Sequence, residues 1–175
     1  MVELVLVLGI LGMAFGMLTS TLVANARQRH INRETALAVE AARDIFERMR
    51  DADFDQLFAL YNAEAADDPA GAGSAPGNVF EVAELELPPG SQRPAVGEIV
   101  LPAQQTESGT WQLREDALDE GLGMPRDLNG DSIVDELDHA FDCMLLPVRV
   151  ELEWQGLYGA RALSVSVLLA DFRRT

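Results

Sequence analysis

The sequence predicts an α+β protein in which one long N-terminal helix packs on a small antiparallel β-sheet. Three observations carry that prediction. Leu4 to Ala24 is a run of 21 residues without a charge, and an apolar stripe at helical spacing continues beyond it. Near the C-terminus, two runs alternate apolar and polar residues on either side of a short turn. Between these parts lies ADDPAGAGSAPGN, residues 66–78, whose Gly, Pro, Ala and Asp show no period and read as a loop joining two architectures.

The first element is the helix. At 1.5 Å per residue a helix over Leu4–Ala24 spans roughly 32 Å, close to the hydrocarbon thickness of a bilayer. A cleaved secretory signal is the competing reading, since Ala24-Asn25-Ala26 has the small-x-small form of a cleavage site. Against it stand the absence of a basic stretch ahead of the run and an apolar length beyond the roughly 7–15 residues of a signal core. After Arg27, Arg29 and Arg33, the apolar positions Ala38, Ala41, Ile45 and Met49 recur at 3 and 4, widened by Ala42 and Phe46, so the helix is expected to continue to about Asp51. DADFDQLFALYN then predicts a further turn or a short second helix.

The sheet follows. VFEVAELEL (79–87) and EIVL (98–101) read as strands between Pro- and Gly-rich breaks. Val148, Val150, Leu152 and Trp154 alternate with Arg149, Glu151 and Glu153; QGLYGA turns; Leu163, Val165, Val167 and Leu169 alternate mainly with Ser. This is a hairpin with one buried face, and the stripe of the long helix is the surface available to cover it. The expected organisation is a hydrophobic transmembrane half of the helix (1–26), an amphipathic half (27–62), and an acidic β-rich domain (63–175) with an inserted loop at 127–138.

Charge narrows the function classes. Hydrophobic residues make up 48% and charged residues 24%, the usage of a folded domain. Residues 1–50 hold six Arg against five acids, net +1, whereas residues 51–175 hold seven Arg against 24 acids, net −17. A surface of that sign repels phosphate backbones, so no nucleic-acid partner is expected. The single Cys143 cannot close an intramolecular disulfide and reads as a small buried hydrophobe.

Two features carry chemistry. The first is Glu3, an acid at the head of an apolar run with no basic residue between it and Arg27. An ionisable group in a membrane-length segment is costly and marks a functional position unless it merely reaches the interface. Gly9, Gly12 and Gly16, spaced 3 and 4, lie along one side of the helix; they permit close approach of a second helix and lower helix propensity by about 1 kcal/mol each.

The second is DLNGDSIVDELD, 127–138. Read as a 12-residue calcium loop, it places Asp127, Asn129, Asp131, Asp135 and Asp138 at positions 1, 3, 5, 9 and 12, and the carbonyl of Ile133 at position 7. Short oxygen donors at alternate residues converge when such a loop coils, and a hard cation takes six to eight of them. Ser132 stands at position 6, where Gly is usual, and Asp138 stands where a longer Glu is usual. The segment resembles EF-hand and dockerin-type loops without two flanking helices, so a lone calcium loop ahead of the final hairpin is expected.

M-V-E-L followed by an apolar run with Gly12, a helix leaving the membrane and a closing hairpin together resemble the type IV pilin family, including minor pilins and the pseudopilins of type II secretion. ALAVEAARDIFERMRDADFDQL resembles the helix end of minor pilins and small pseudopilins; the stretch 66–143 resembles nothing in that family. The resemblance implies that Glu3 is the assembly carboxylate, pairing with the methylated amino terminus of a neighbouring subunit, and that Gly9, Gly12 and Gly16 lie where helices meet. It also implies a prepilin peptidase acting on a basic leader ahead of Met1. Arg27, Arg29 and Arg33 follow the span, which by the positive-inside rule alone places the acidic domain inside; a basic leader reverses this, and the resemblance places the domain outside the cytoplasm. The implied partners are other copies or other pilins, with the inner membrane as the location before assembly into an extracellular pilus or a periplasmic pseudopilus.

No nucleophile elbow, phosphate loop or dinucleotide fingerprint occurs. Neither His30 nor His139 has zinc-ligand spacing to Cys143 or to the other, and His139 reads as a loop residue beside the acidic segment. No enzymatic activity is expected. The function expected is a structural subunit of a type IV pilus or related pseudopilus. The alternative is a membrane-anchored calcium-binding adhesion or interaction module that does not polymerise.

Overall fold

The computed structural model describes residues 2–171; Met1, which opens the M-V-E-L motif, and residues 172–175 lie outside the described residues. Helix α1 runs without interruption from Val2 to Asp51. It contributes to two compact units, Met1–Ala36 and Leu37–Thr175.

Among the described residues of the first unit, α1 is the one element. Its large apolar side chains from Val2 to Val23 are exposed, as is Glu3. This helix is long and apolar enough to cross a membrane. Thr19 and Thr21 return their hydroxyls to the carbonyls of Phe15 and Met17, so two of the few polar groups in the run are satisfied within the helix itself.

The second unit has the predicted α+β layout. Strands β1 (Val79–Phe80), β2 (Gly97–Val100), β5 (Leu145–Gly156) and β6 (Gly159–Ala170) form an antiparallel sheet in the order β1-β2-β5-β6. Val148, Val150, Leu152 and Trp154 of β5 are all at most 2% exposed, and they belong to one core with Ala38, Ala42, Ile45, Phe46 and Met49 of α1. The 3- and 4-residue spacing of the helix and the two-residue alternation of the strand thus meet at one apolar surface. Ala38 and Ala42 are the smallest residues of the stripe and are almost fully buried, which lets backbone and sheet approach closely. The hairpin turns through Leu157–Tyr158, with Gly156 paired to Gly159 and Leu152 to Leu163. Pro147, which has no N–H to give, sits where β5 is paired only to β6, beyond the residues that β2 reaches.

The other face of β5 is polar. Arg149 bonds Glu151 and Asp119, and Arg93 lies against Glu98, Glu151 and Glu153, so the acids that alternate with the core residues meet the two guanidinium groups available to them. Arg149, as the bond donor opposed by burial, holds the Asp119 carboxyl below its ordinary value.

Three local expectations change. Of VFEVAELEL, only Val79–Phe80 is strand: Glu84 takes a positive φ of 68° and the chain turns, with Leu85 buried as an anchor. The alternation there reflects that single anchor, not a paired edge. The strand expected at 98–101 lies at Gly97–Val100, and Gly97 faces Phe80 across the pair; a Cβ there would sit 2.3 Å from the Phe80 ring. A second small sheet, β3 (Ala103–Gln105) with β4 (Trp111–Leu113), was not predicted, because AQQ and WQL are too short and too polar to show a period. The segment after α1 forms a 3-10 turn, Phe54–Gln56, and helix α2, Leu57–Tyr61.

Candidate functional site

The residues singled out in the sequence fall in two places. Glu3, Gly9, Gly12 and Gly16 lie on α1 in the first unit, where the helix is unbroken through all three glycines. A Cβ built on any of them meets nothing within 4 Å.

The second place is the acidic loop. Its position follows from β4. Leu113 is fully buried; its N–H donates to Asp138 Oδ1 at 3.1 Å and its carbonyl accepts from the His139 N–H at 2.9 Å. At the other end the Leu128 carbonyl accepts from the N–H groups of Met144 and Leu145, which pins the loop at the start of β5. Asp127 caps the first turn: Oδ1 accepts from the Gly130 N–H at 2.5 Å and Oδ2 from the Ser132 N–H at 2.8 Å. Ser132 takes a φ of 70°, the left-handed turn that a calcium-type loop requires at its sixth position, without the usual Gly.

Several of the expected donors accept hydrogen bonds from the backbone. Asn129 Oδ1 accepts from Asp131, Asp131 Oδ1 from Ile133, and Asp138 Oδ1 from Leu113 and Ala140. Asp135 turns towards His139, its Oδ1 lying 3.1 Å from Nε2. Its carboxyl is held below the ordinary value by the Leu137 N–H and by that imidazole.

What the structure does bring together is Glu115, Asp135 and His139, each offering a ligand atom within 4.8 Å of the others. Among the described residues this is the one such group of three His, Cys, Asp or Glu side chains, and it can hold a metal ion. Glu115, two residues beyond β4, is wholly buried: Oε1 accepts from the N–H groups of Leu128 at 2.6 Å and Asn129 at 3.2 Å, while Oε2 has no hydrogen-bond partner. His139, 3% exposed, places Nδ1 3.0 Å from Asp142 Oδ1. Burial alone would lower its pKa, but bonds to Asp135 and Asp142 and the charge of Glu115 more than offset this and raise it.

Sequence reasoning missed Glu115 and Asp142 and took His139 for a mere neighbour of the loop. The spacing Asp135, His139, Asp142, at 4 and 3, was a readable signal; Glu115, separated by 20 residues, gave none. Cys143 is buried just after this cluster. Compared with family models, with curated proteins and with solved structures, the chain matches none.

Proposed function

We propose that this chain is a structural subunit of a filament of the type IV pilin or pseudopilin kind, anchored in a membrane through α1 before assembly and held in the filament by that same helix. The observation that carries the proposal is the first unit: a helix with its apolar side chains exposed, three glycines in open space, and one acid at its head. A helix that exposes such an apolar surface is suited to lipid and to the helices of other subunits. Glu3 acquires a role in such a setting, since a carboxylate in an apolar bundle is stabilised only where a cation meets it, and a neighbouring amino terminus supplies one. The α+β unit then lies outside the cytoplasm.

The test is Glu3→Ala in cells making the filament. Membrane insertion should be unchanged and incorporation into filaments strongly reduced; a normal filament yield would overturn the role given to Glu3. A chain that stays in the membrane as monomer, with or without Glu3, supports instead a non-polymerising adhesion module.

A second reading concerns calcium at 127–138. The left-handed turn at Ser132 and the capping of positions 4 and 6 by Asp127 favour it. Asp127, Asn129, Asp131 and the Ile133 carbonyl would hold the ion, with Asp135 and Asp138 joining only by leaving their present bonds. The ion would supply the positive charge that this acidic turn lacks.

A further inference from the structure

We propose that Glu115, Asp135 and His139 form a site for a divalent first-row transition ion, zinc being the ion the donor set fits, with Asp142 as the residue that orients the imidazole. The proposal does not rest on the filament reading, and it shares only Asp135 with the calcium loop.

The geometry leads to it in three steps. Asp142 Oδ1 stands 3.0 Å from His139 Nδ1, and in the neutral tautomer that donates from Nδ1 to this carboxylate Nε2 carries the lone pair. Nε2 then faces Asp135 Oδ1 at 3.1 Å and Glu115 Oε2 at 3.8 Å. Three acceptors converge, and they repel one another unless a cation stands between them. A proton on Nε2 gives only a partial answer. It bonds Asp135, but 3.8 Å is beyond hydrogen-bond reach, and Glu115 Oε2 stays buried without a partner. A metal ion at the centre engages all three atoms at once.

The distances agree with a small tetrahedral ion. Bonds of about 2.05 Å at tetrahedral angles put ligand atoms roughly 3.4 Å apart, and the two observed separations of 3.1 and 3.8 Å lie on either side of that value. One imidazole nitrogen with two carboxylates suits zinc; calcium asks for six to eight oxygens, which this cluster does not offer. Asp135 is the partly exposed member, so the fourth position opens on its side to water. Because Glu115 follows β4 by two residues while Asp135 and His139 lie in and just after the loop, the ion fastens the loop to the segment that leaves the small sheet.

The test uses the full chain in detergent, stripped by chelator and returned to millimolar calcium, titrated with zinc and, as a spectroscopic probe, with cobalt. One equivalent of zinc should bind and raise the melting temperature, and cobalt should give the intense visible bands of four-coordination. His139→Gln and Asp135→Asn should each weaken cobalt binding by at least about tenfold, and Asp127→Ala with Asp131→Ala should leave it unchanged. Asp135 is partly exposed, so its variant keeps the test valid if a change at buried His139 prevents folding. The proposal is overturned by the absence of stoichiometric zinc binding, by cobalt bands of six-coordination, by displacement of zinc by calcium, or by undiminished binding in Asp135→Asn.

Discussion

Met49→Ala should destabilise the α+β unit far more than Val39→Ala, although both lie on the same helix. Met49 is 1% exposed and belongs to the core that covers β5; Val39 is 48% exposed. The Met change removes three heavy atoms beyond Cβ, at about 0.8 kcal/mol for each methylene equivalent, or about 2.4 kcal/mol of lost transfer energy. If the roughly 65 Å³ they filled stays open, the cavity adds about 1.5 kcal/mol. The total is about 2.4–4 kcal/mol, a fall in melting temperature of roughly 7–16 °C for a unit of this size. Val39→Ala should stay within about 0.5 kcal/mol, as exposed substitutions do. The assay is thermal unfolding of the full chain in detergent, followed by fluorescence of Trp154, which is 2% exposed. Equal losses for the two variants would show that the face carrying Ala38, Ala42, Ile45, Phe46 and Met49 is not the one the sheet covers.

Other outcomes follow from the same structure. Asp119, held below its ordinary value by Arg149, contributes stability that is fully present above the unfolded carboxyl value of about 3.9 and is lost as pH falls through the lower folded value. Asp119→Asn should therefore lower the stability at neutral pH, by about 1–2 kcal/mol for a charged hydrogen bond, and the difference from wild type should vanish in strong acid; a gap that widens in acid would refute the assignment. Gly12→Leu should leave the detergent-solubilised monomer as stable as wild type, since nothing lies within 4 Å of the added Cβ, yet reduce sedimentable filament; unchanged filament would mean that the glycine face meets no helix. For the loop, calcium at a hundredfold excess over its Kd should stabilise the full chain by roughly 2.7 kcal/mol relative to chelator. Asp127→Ala with Asp131→Ala should abolish that gain, and an unmoved melting curve in chelator would leave the segment an acidic turn.

The long-period features of this chain were legible in its sequence because each repeats. Twenty-one charge-free residues, a stripe at 3 and 4, and twelve-residue strands alternating about Leu157–Tyr158 leave little choice of structure. The middle was not legible. β3 and β4 span three residues each, and Glu84 breaks an alternating run by a turn that no local pattern announces. The cluster of Glu115, Asp135 and His139 was half visible. Asp135 was named as a donor and His139 as its neighbour, but Glu115 comes to them only because the Leu113 backbone pairs with the loop at Asp138 and His139, a contact between segments 25 residues apart. Spacing along a chain does not encode a contact of that kind.

The central claim is that α1 of one chain packs against α1 of others. Electron cryo-microscopy of filaments sheared from cells that make this chain tests it most directly. The account predicts a helical assembly with the α1 helices bundled in its core, the Gly9, Gly12 and Gly16 faces at helix contacts, and each Glu3 carboxylate at ion-pair distance from a neighbouring subunit's amino terminus. Filaments that lack this chain, with the protein found only as a membrane-bound monomer, would contradict it.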